Sequence, residues 1–201
     1  MLQKLIKEAT QDMHSSLEGL MHVEEIMNGV LSYRQYKRML VINYLVATEY
    51  EPQLIVFIDP ITATRLQLHQ RIKLDALLKD LIEAEINPAD LKKEAGFIID
   101  SKNALGCLYV LEGATLGGNI IVKKLKDNKY LAPYNLHFHY YQVYGEQLIS
   151  YWKQFCEVIN EQPEQSYQKI IDGANNMFAV FIELCRQMDP SPLSDICDPG
   201  Q

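Results

Sequence analysis

Apolar residues recur at helical steps along nearly the whole chain, and no extended run alternates with the period of two that a strand requires. That pattern restricts the chain to an all-α, single-domain helical bundle. Leu2, Leu5, Ile6, Ala9, Met13, Leu17 and Leu20 give one apolar face to a first helix of about 17 residues. Ser32, with Gln35 three residues on, marks the capped start of a long helix. This helix carries Tyr36, Met39, Leu40, Asn43, Tyr44 and Ala47 inward and has Pro52 near its end. Further helices are predicted over 66–81, 101–125 (with Ser101 as cap), 146–159 and 167–188. Breaks fall at Asn28-Gly29, Pro60, Asn87-Pro88 and 127–133, and the aromatic stretch 134–144 has no clear period. At 201 residues the chain is long enough to bury one core. It divides into a helical domain over 1–189 and a loose, proline-rich tail over 190–201.

The formal net charge of -7 argues against a general nucleic-acid role, which needs concentrated positive surface. Lys123, Lys124, Lys126 and Lys129 form one basic run. It reads either as a solvated helix end or as a dock for an acidic protein partner. Cys107, Cys156, Cys185 and Cys197 are too widely spaced for a zinc motif and read as reduced, mostly buried thiols. No window holds 18 uncharged apolar residues, so no membrane span is expected, and the first helix is not a secretory leader. The expected compartment is the cytoplasm.

Two features stand apart from ordinary core building. Residues 105–121 form an apolar segment interrupted by Gly113, Gly117 and Gly118. Each interior helical glycine costs roughly 0.5–1 kcal/mol relative to alanine. Close approach of another helix, or of a flat ligand, would compensate. The second feature is the polar stripe Lys7, Gln11, His14, Glu18 on one side of the first helix. Glu18 is placed to accept from His14 Nδ1, leaving Nε2 as a metal ligand; a plain surface His–Glu pair has the same spacing. Lys7 lies about 10 Å before His14 along the axis, the reach of a cation at the edge of a flat anionic ligand. As a surface lysine it needs no ligand at all. Together the two features suggest a planar cofactor held between two helices.

Weaker candidates are few. His137-Phe138-His139 offers two imidazoles but no third ligand with convincing spacing. Glu112, inside an apolar helix, reads as a buried carboxylate bonded across the bundle rather than a general acid. No serine, cysteine or paired-carboxylate arrangement supports hydrolysis.

The chain resembles the haem oxygenase family, in particular its bacterial members, over most of its length. The likeness rests on Thr10-x3-His14-x3-Glu18 and on the run Leu108-Tyr109-Val110-Leu111-Glu112-Gly113-Ala114-Thr115-Leu116-Gly117-Gly118. Tyr144-Gly145 and Trp152-x2-Phe155 add support. The resemblance implies a haem-binding helical domain with haem b, both substrate and cofactor, between a proximal and a distal helix. His14 would be the iron ligand and Glu18 its support. Gly113 and Gly117 would lie over the haem and serve catalysis, with Thr10, Tyr109 and Gly118 lining the site. Lys7 and Lys153 would meet the propionates. The implied reaction cleaves haem with O2 to biliverdin, carbon monoxide and ferrous iron, drawing electrons from a ferredoxin or an NAD(P)H-dependent reductase. Two departures stand out: Ala114 replaces an aspartate found in many members, and Gln11 replaces a basic residue of some. Ala114 supports the alternative, a non-catalytic haem carrier or sensor with the same fold.

Overall fold

A computed structural model describes residues 1–91 and 96–188. Among the described residues there are ten α-helices and no strand. The tail predicted from 190 lies outside them.

The first helix is two. α1 (Leu2–Ala9) and α2 (Gln11–Leu20) meet at Thr10, whose φ of -109° and ψ of 3° leave the helical well. Thr10 Oγ1 donates to the Ile6 carbonyl at 2.8 Å, the back-bonding that bends helices at serine and threonine. Leu2 and Ile6 are fully buried, whereas Leu5 and Ala9 of the predicted apolar face are exposed. α3 (Val23–Asn28) ends at Gly29 in the left-handed conformation (φ 68°), as the Asn28-Gly29 break predicts.

α4 (Tyr33–Phe57) starts at the predicted capping box: Gln35 N–H donates to Ser32 Oγ at 3.3 Å and Ser32 N–H to Gln35 Oε1 at 2.8 Å. It runs past Pro52 because Leu54 and Ile58 continue its buried face. The helix predicted over 66–81 is instead a 3-10 turn and a shorter helix, preceded by a separate short one. α5 (Pro60–Arg65) begins at Pro60, with Asp59 accepting from the Ile61 and Thr62 N–H groups, so that proline opens a helix rather than closing one. Gln67 then turns left-handed (φ 51°), one 3-10 turn follows, and α6 (Leu74–Glu83) starts late. The cause is buried charge: Arg71 and Lys73 are drawn into the interior, and Glu51 accepts the N–H groups of Lys73 (2.8 Å) and Leu74 (3.2 Å).

The helix predicted over 101–125 is likewise split, into α7 (Ala104–Gly113) and α8 (Gly118–Lys126). Asp100, not Ser101, organises its start, accepting from Lys102 and Asn103 N–H at 2.8 and 3.0 Å. Residues 114–117 form a turn held by i→i−3 bonds, including Gly118 N–H to Thr115 O at 2.8 Å. By length and composition Ala104–Lys126 is apolar enough to cross a membrane, but half of that stretch is buried in the bundle and this turn breaks it.

Between α8 and α9 (Leu148–Asn160) the aromatic stretch forms turns. Phe138 adopts a φ of 59°, which costs roughly 1–2 kcal/mol for a side chain of this kind. Its ring is buried edge-on against Tyr36, at 5.5 Å, a burial that returns about as much.

α10 (Tyr167–Gln187) is the floor on which both α2 and α7 rest. Its crossing with α7 needs a glycine on each helix: a Cβ on Gly106 would stand 1.8 Å from Ile170 O, and one on Gly173 2.2 Å from Asn103 O. Neither position stands out in the sequence. Arg38 ties the far ends together, donating to Leu20 O of α2 and to the carbonyls of Cys185 and Met188.

Candidate functional site

His14 stands on the outer side of α2, with its side chain 59% exposed. Its Nδ1 lies 3.5 Å from Glu18 Oε2, one turn on, which leaves Nε2 facing away from the carboxylate. The imidazole edge meets the Phe178 ring of α10 at 6.0 Å. The stripe is therefore a solvent-facing surface mounted on the central helix, and Lys7 and Gln11 are exposed beside it.

The glycines of 113–118 divide by what surrounds them. Nothing lies within 4 Å of where a Gly113 Cβ would stand, and at Gly117 only the flexible Ile121 side chain comes near, at 3.2 Å. Gly118 is the opposite: its Cβ position is 2.3 Å from the Tyr141 carbonyl, so protein packing alone demands glycine there. Close helix packing thus explains Gly118 but not Gly113. The helices that carry His14 and Gly113, α2 and α7, both pack on α10.

Behind Gly113 lies a buried charge network. Glu112, 2% exposed, pairs with Arg71 Nη1 and with Lys73 Nζ at 2.8 Å, and accepts from Tyr144 Oη at 2.6 Å. Arg71 also donates to Leu66 O, Tyr151 O and Gln154 Oε1. Burial pushes the Glu112 pKa up, but the charges of Lys73 and Arg71 outweigh it and hold the carboxyl below the usual range. The group stays ionised and fully bonded, the structural carboxylate expected from its apolar setting. Burial pushes the Tyr144 hydroxyl well up, and Glu112 adds to this.

Residues 1–187 match the profile of the family described as Heme oxygenase. The chain belongs to the haem oxygenase family. A heme oxygenase from Xanthomonas campestris pv. campestris (strain 8004) is 24% identical over 167 residues, covering 79% of this chain and 93% of that protein. The solved heme oxygenase-1 of Synechocystis sp. PCC6803, in complex with heme, superposes with a TM-score of 0.73 at 20% identity, over 94% of this chain and 92% of that one. The Neisseria meningitidis heme oxygenase, solved with NO and CO bound, gives 0.74 at 21%, over 93% and 91%. The Leptospira interrogans heme oxygenase gives 0.76 at 17%, over 92% and 98%. The all-helical bundle is that of the haem oxygenases, and the chain is an enzyme of that family.

Within this haem oxygenase the remaining predicted residues take different places. Thr10 is 3% exposed and spends its hydroxyl proton on Ile6 O, while its carbonyl accepts His14 N–H at 2.9 Å. It shapes the turn that carries His14. Tyr109 is half-buried, with its ring 5.5 Å from Trp152 and 6.3 Å from Phe155. Lys153 is exposed on α9 and lines a polar cleft with Gln67, Gln70, Ser150 and Gln154; neither His14 nor Gly113 lines it. Lys123, Lys124, Lys126 and Lys129 are all exposed at the end of α8. Cys107, Cys156 and Cys185 are free thiols, and burial pushes them up to about 12, 11 and 11.

Sequence reasoning missed Arg71, Lys73 and Tyr144 as partners of Glu112. Arg71 and Lys73 sit in a mixed polar and apolar stretch that does not mark them as buried.

Proposed function

We propose that this enzyme cleaves haem b oxidatively to biliverdin, carbon monoxide and ferrous iron, with His14 as the iron ligand and Gly113 and Gly117 over the opposite face. The observation that carries this reading is Gly113, a helix-weakening residue for which the protein supplies no packing neighbour. Bound haem supplies both the iron that activates O2 and the ring that is cleaved.

The chain's own residues do the rest. Glu18 Oε2, 3.5 Å from His14 Nδ1, is placed to accept its N–H on a small approach, which would fix the tautomer and strengthen Nε2 as a neutral donor. A neutral imidazole suits this chemistry better than a thiolate, which favours O–O cleavage. Bare backbone at Gly113 and Gly117 leaves room for a small gas molecule. Tyr109 closes the wall toward Trp152, and Gly118 pins the start of α8 against Tyr141. Lys7 and Lys153 are the cations for the propionates. The side chains of the turn offer no proton donor in place of the aspartate absent at Ala114: Thr115 Oγ1 donates to Glu112 O at 2.8 Å, and Glu112 is held ionised. Proton delivery therefore falls to solvent ordered by backbone carbonyls of 113–117. Electrons come from a ferredoxin or an NAD(P)H-dependent reductase docking at the basic end of α8.

A hemin titration tests the ligand assignment. Wild-type protein is expected to give a saturable Soret band at one haem per chain. His14→Ala should lose the native ligation signature and regain it with added imidazole. Identical spectra for the two proteins would overturn His14 as the ligand.

A further inference from the structure

His137, Phe138 and His139 precede the turn that backs Gly118, and the fold brings a third ligand to the two imidazoles. Glu83, in the last turn of α6, places Oε1 2.7 Å from His137 Nδ1 and 3.0 Å from His139 Nε2. One ligand atom from each residue lies within 4.8 Å of the others. We propose that Glu83, His137 and His139 form a binding site for one first-row divalent transition-metal ion, separate from the haem site.

The spacing suits such an ion. Ligands about 2.1 Å from a metal stand about 3.0 Å apart at right angles and about 3.4 Å apart in a tetrahedron. The two separations from Glu83 Oε1, 2.7 and 3.0 Å, are close to those values, so an ion would replace the direct His–Glu contacts with a modest adjustment of these side chains. Two histidines and one carboxylate are a known donor set for zinc and for non-haem ferrous iron, with coordination positions left to water.

The site is also built before any ion arrives. Glu83 Oε2 accepts His137 N–H at 2.8 Å, which orients the carboxylate. Asp80, one turn earlier on α6 and fully buried, accepts His139 N–H at 2.7 Å and Tyr140 N–H at 2.8 Å. Gln142 Nε2 donates to His137 O at 2.5 Å and to Phe138 O at 3.3 Å. Phe138, buried in its left-handed turn, anchors the loop from below and leaves His137 58% exposed and His139 35% exposed. The carboxylate end of α6 adds the negative pole of a helix, which favours a cation.

Zinc is the probe. Metal-stripped, haem-free protein is titrated with Zn2+ by calorimetry, and with Co2+ followed by its visible ligand-field bands. The expected result is one ion per chain, with Co2+ bands of nitrogen–oxygen ligation. His137→Ala and His139→Ala should each lower the affinity at least about tenfold. Glu83→Gln, which keeps an acceptor for His137 N–H and so preserves the loop, should do the same. His69→Ala, at an exposed histidine elsewhere, should bind like the wild type. No saturable binding, or binding that these site variants leave unchanged, overturns the proposal and leaves the cluster a His–Glu ion pair.

Discussion

Glu112 shows how much of the site depends on residues that touch no ligand. It sits immediately before Gly113 and pairs with two buried cations. Glu112→Gln would strand Arg71 and Lys73 in the interior, and a broken buried pair typically costs 3–5 kcal/mol. Urea unfolding is expected to show a loss of that size, and a loss under about 1 kcal/mol would contradict the network as described. The pH dependence follows from the same group. Its folded pKa is depressed, so its stabilisation is present above the unfolded value of about 4.3 and is lost as pH falls through the folded one. Burial raises the pKa of Glu51, so that residue works in the opposite sense, favouring the fold as pH falls. Stability measured downward from neutral pH should drop in wild type, and less in Glu112→Gln. Glu112 was legible in the sequence because a carboxylate in an apolar helix must find partners. Its partners were not, because nothing local distinguishes a buried Arg71 from a solvated one.

At the scale of the element, the split of 104–126 into α7 and α8 separates two kinds of glycine. Gly113→Ala should fold and stabilise the haem-free protein by about 0.5–1 kcal/mol while weakening haem binding. Gly118→Ala should destabilise it outright, because its Cβ would meet the Tyr141 carbonyl. Thermal melts of both variants, with and without hemin, distinguish the cases; equal behaviour would show that Gly113 is also a packing glycine. Gly106→Ala is expected to be more damaging than either, since two backbones cross there. The sequence revealed the apolar, glycine-broken character of this segment but not where it bends. The bend depends on Thr115 returning its hydroxyl to Glu112 O and on i→i−3 bonds, which side-chain periodicity does not record. The break at Thr10 was hidden for the same reason, and Gln67 gave no glycine-like warning of its left-handed turn.

At the scale of the whole molecule, α10 packs against both α2 and α7, the helices that carry His14 and Gly113. The helical class and the order of its two motifs were readable, because periodicity and motif spacing survive where overall identity has fallen to about a fifth. In a chain of net charge -7, the exposed lysines at the end of α8 form a local basic cluster. Reversing Lys123 and Lys126 to glutamate should slow haem turnover driven by a ferredoxin–reductase pair, with the difference shrinking at high salt. Turnover driven by ascorbate should not change; equal slowing with both reductants would rule out a docking role. The most direct test of the whole account is a turnover experiment. Purified protein receives one equivalent of hemin, then ascorbate or a ferredoxin–reductase pair under air, and the visible spectrum and carbon monoxide release are followed. The account predicts a decaying Soret band, a growing broad biliverdin absorption, and one carbon monoxide per haem. A stable Soret band under confirmed reduction, with no bilin and no carbon monoxide, would contradict it.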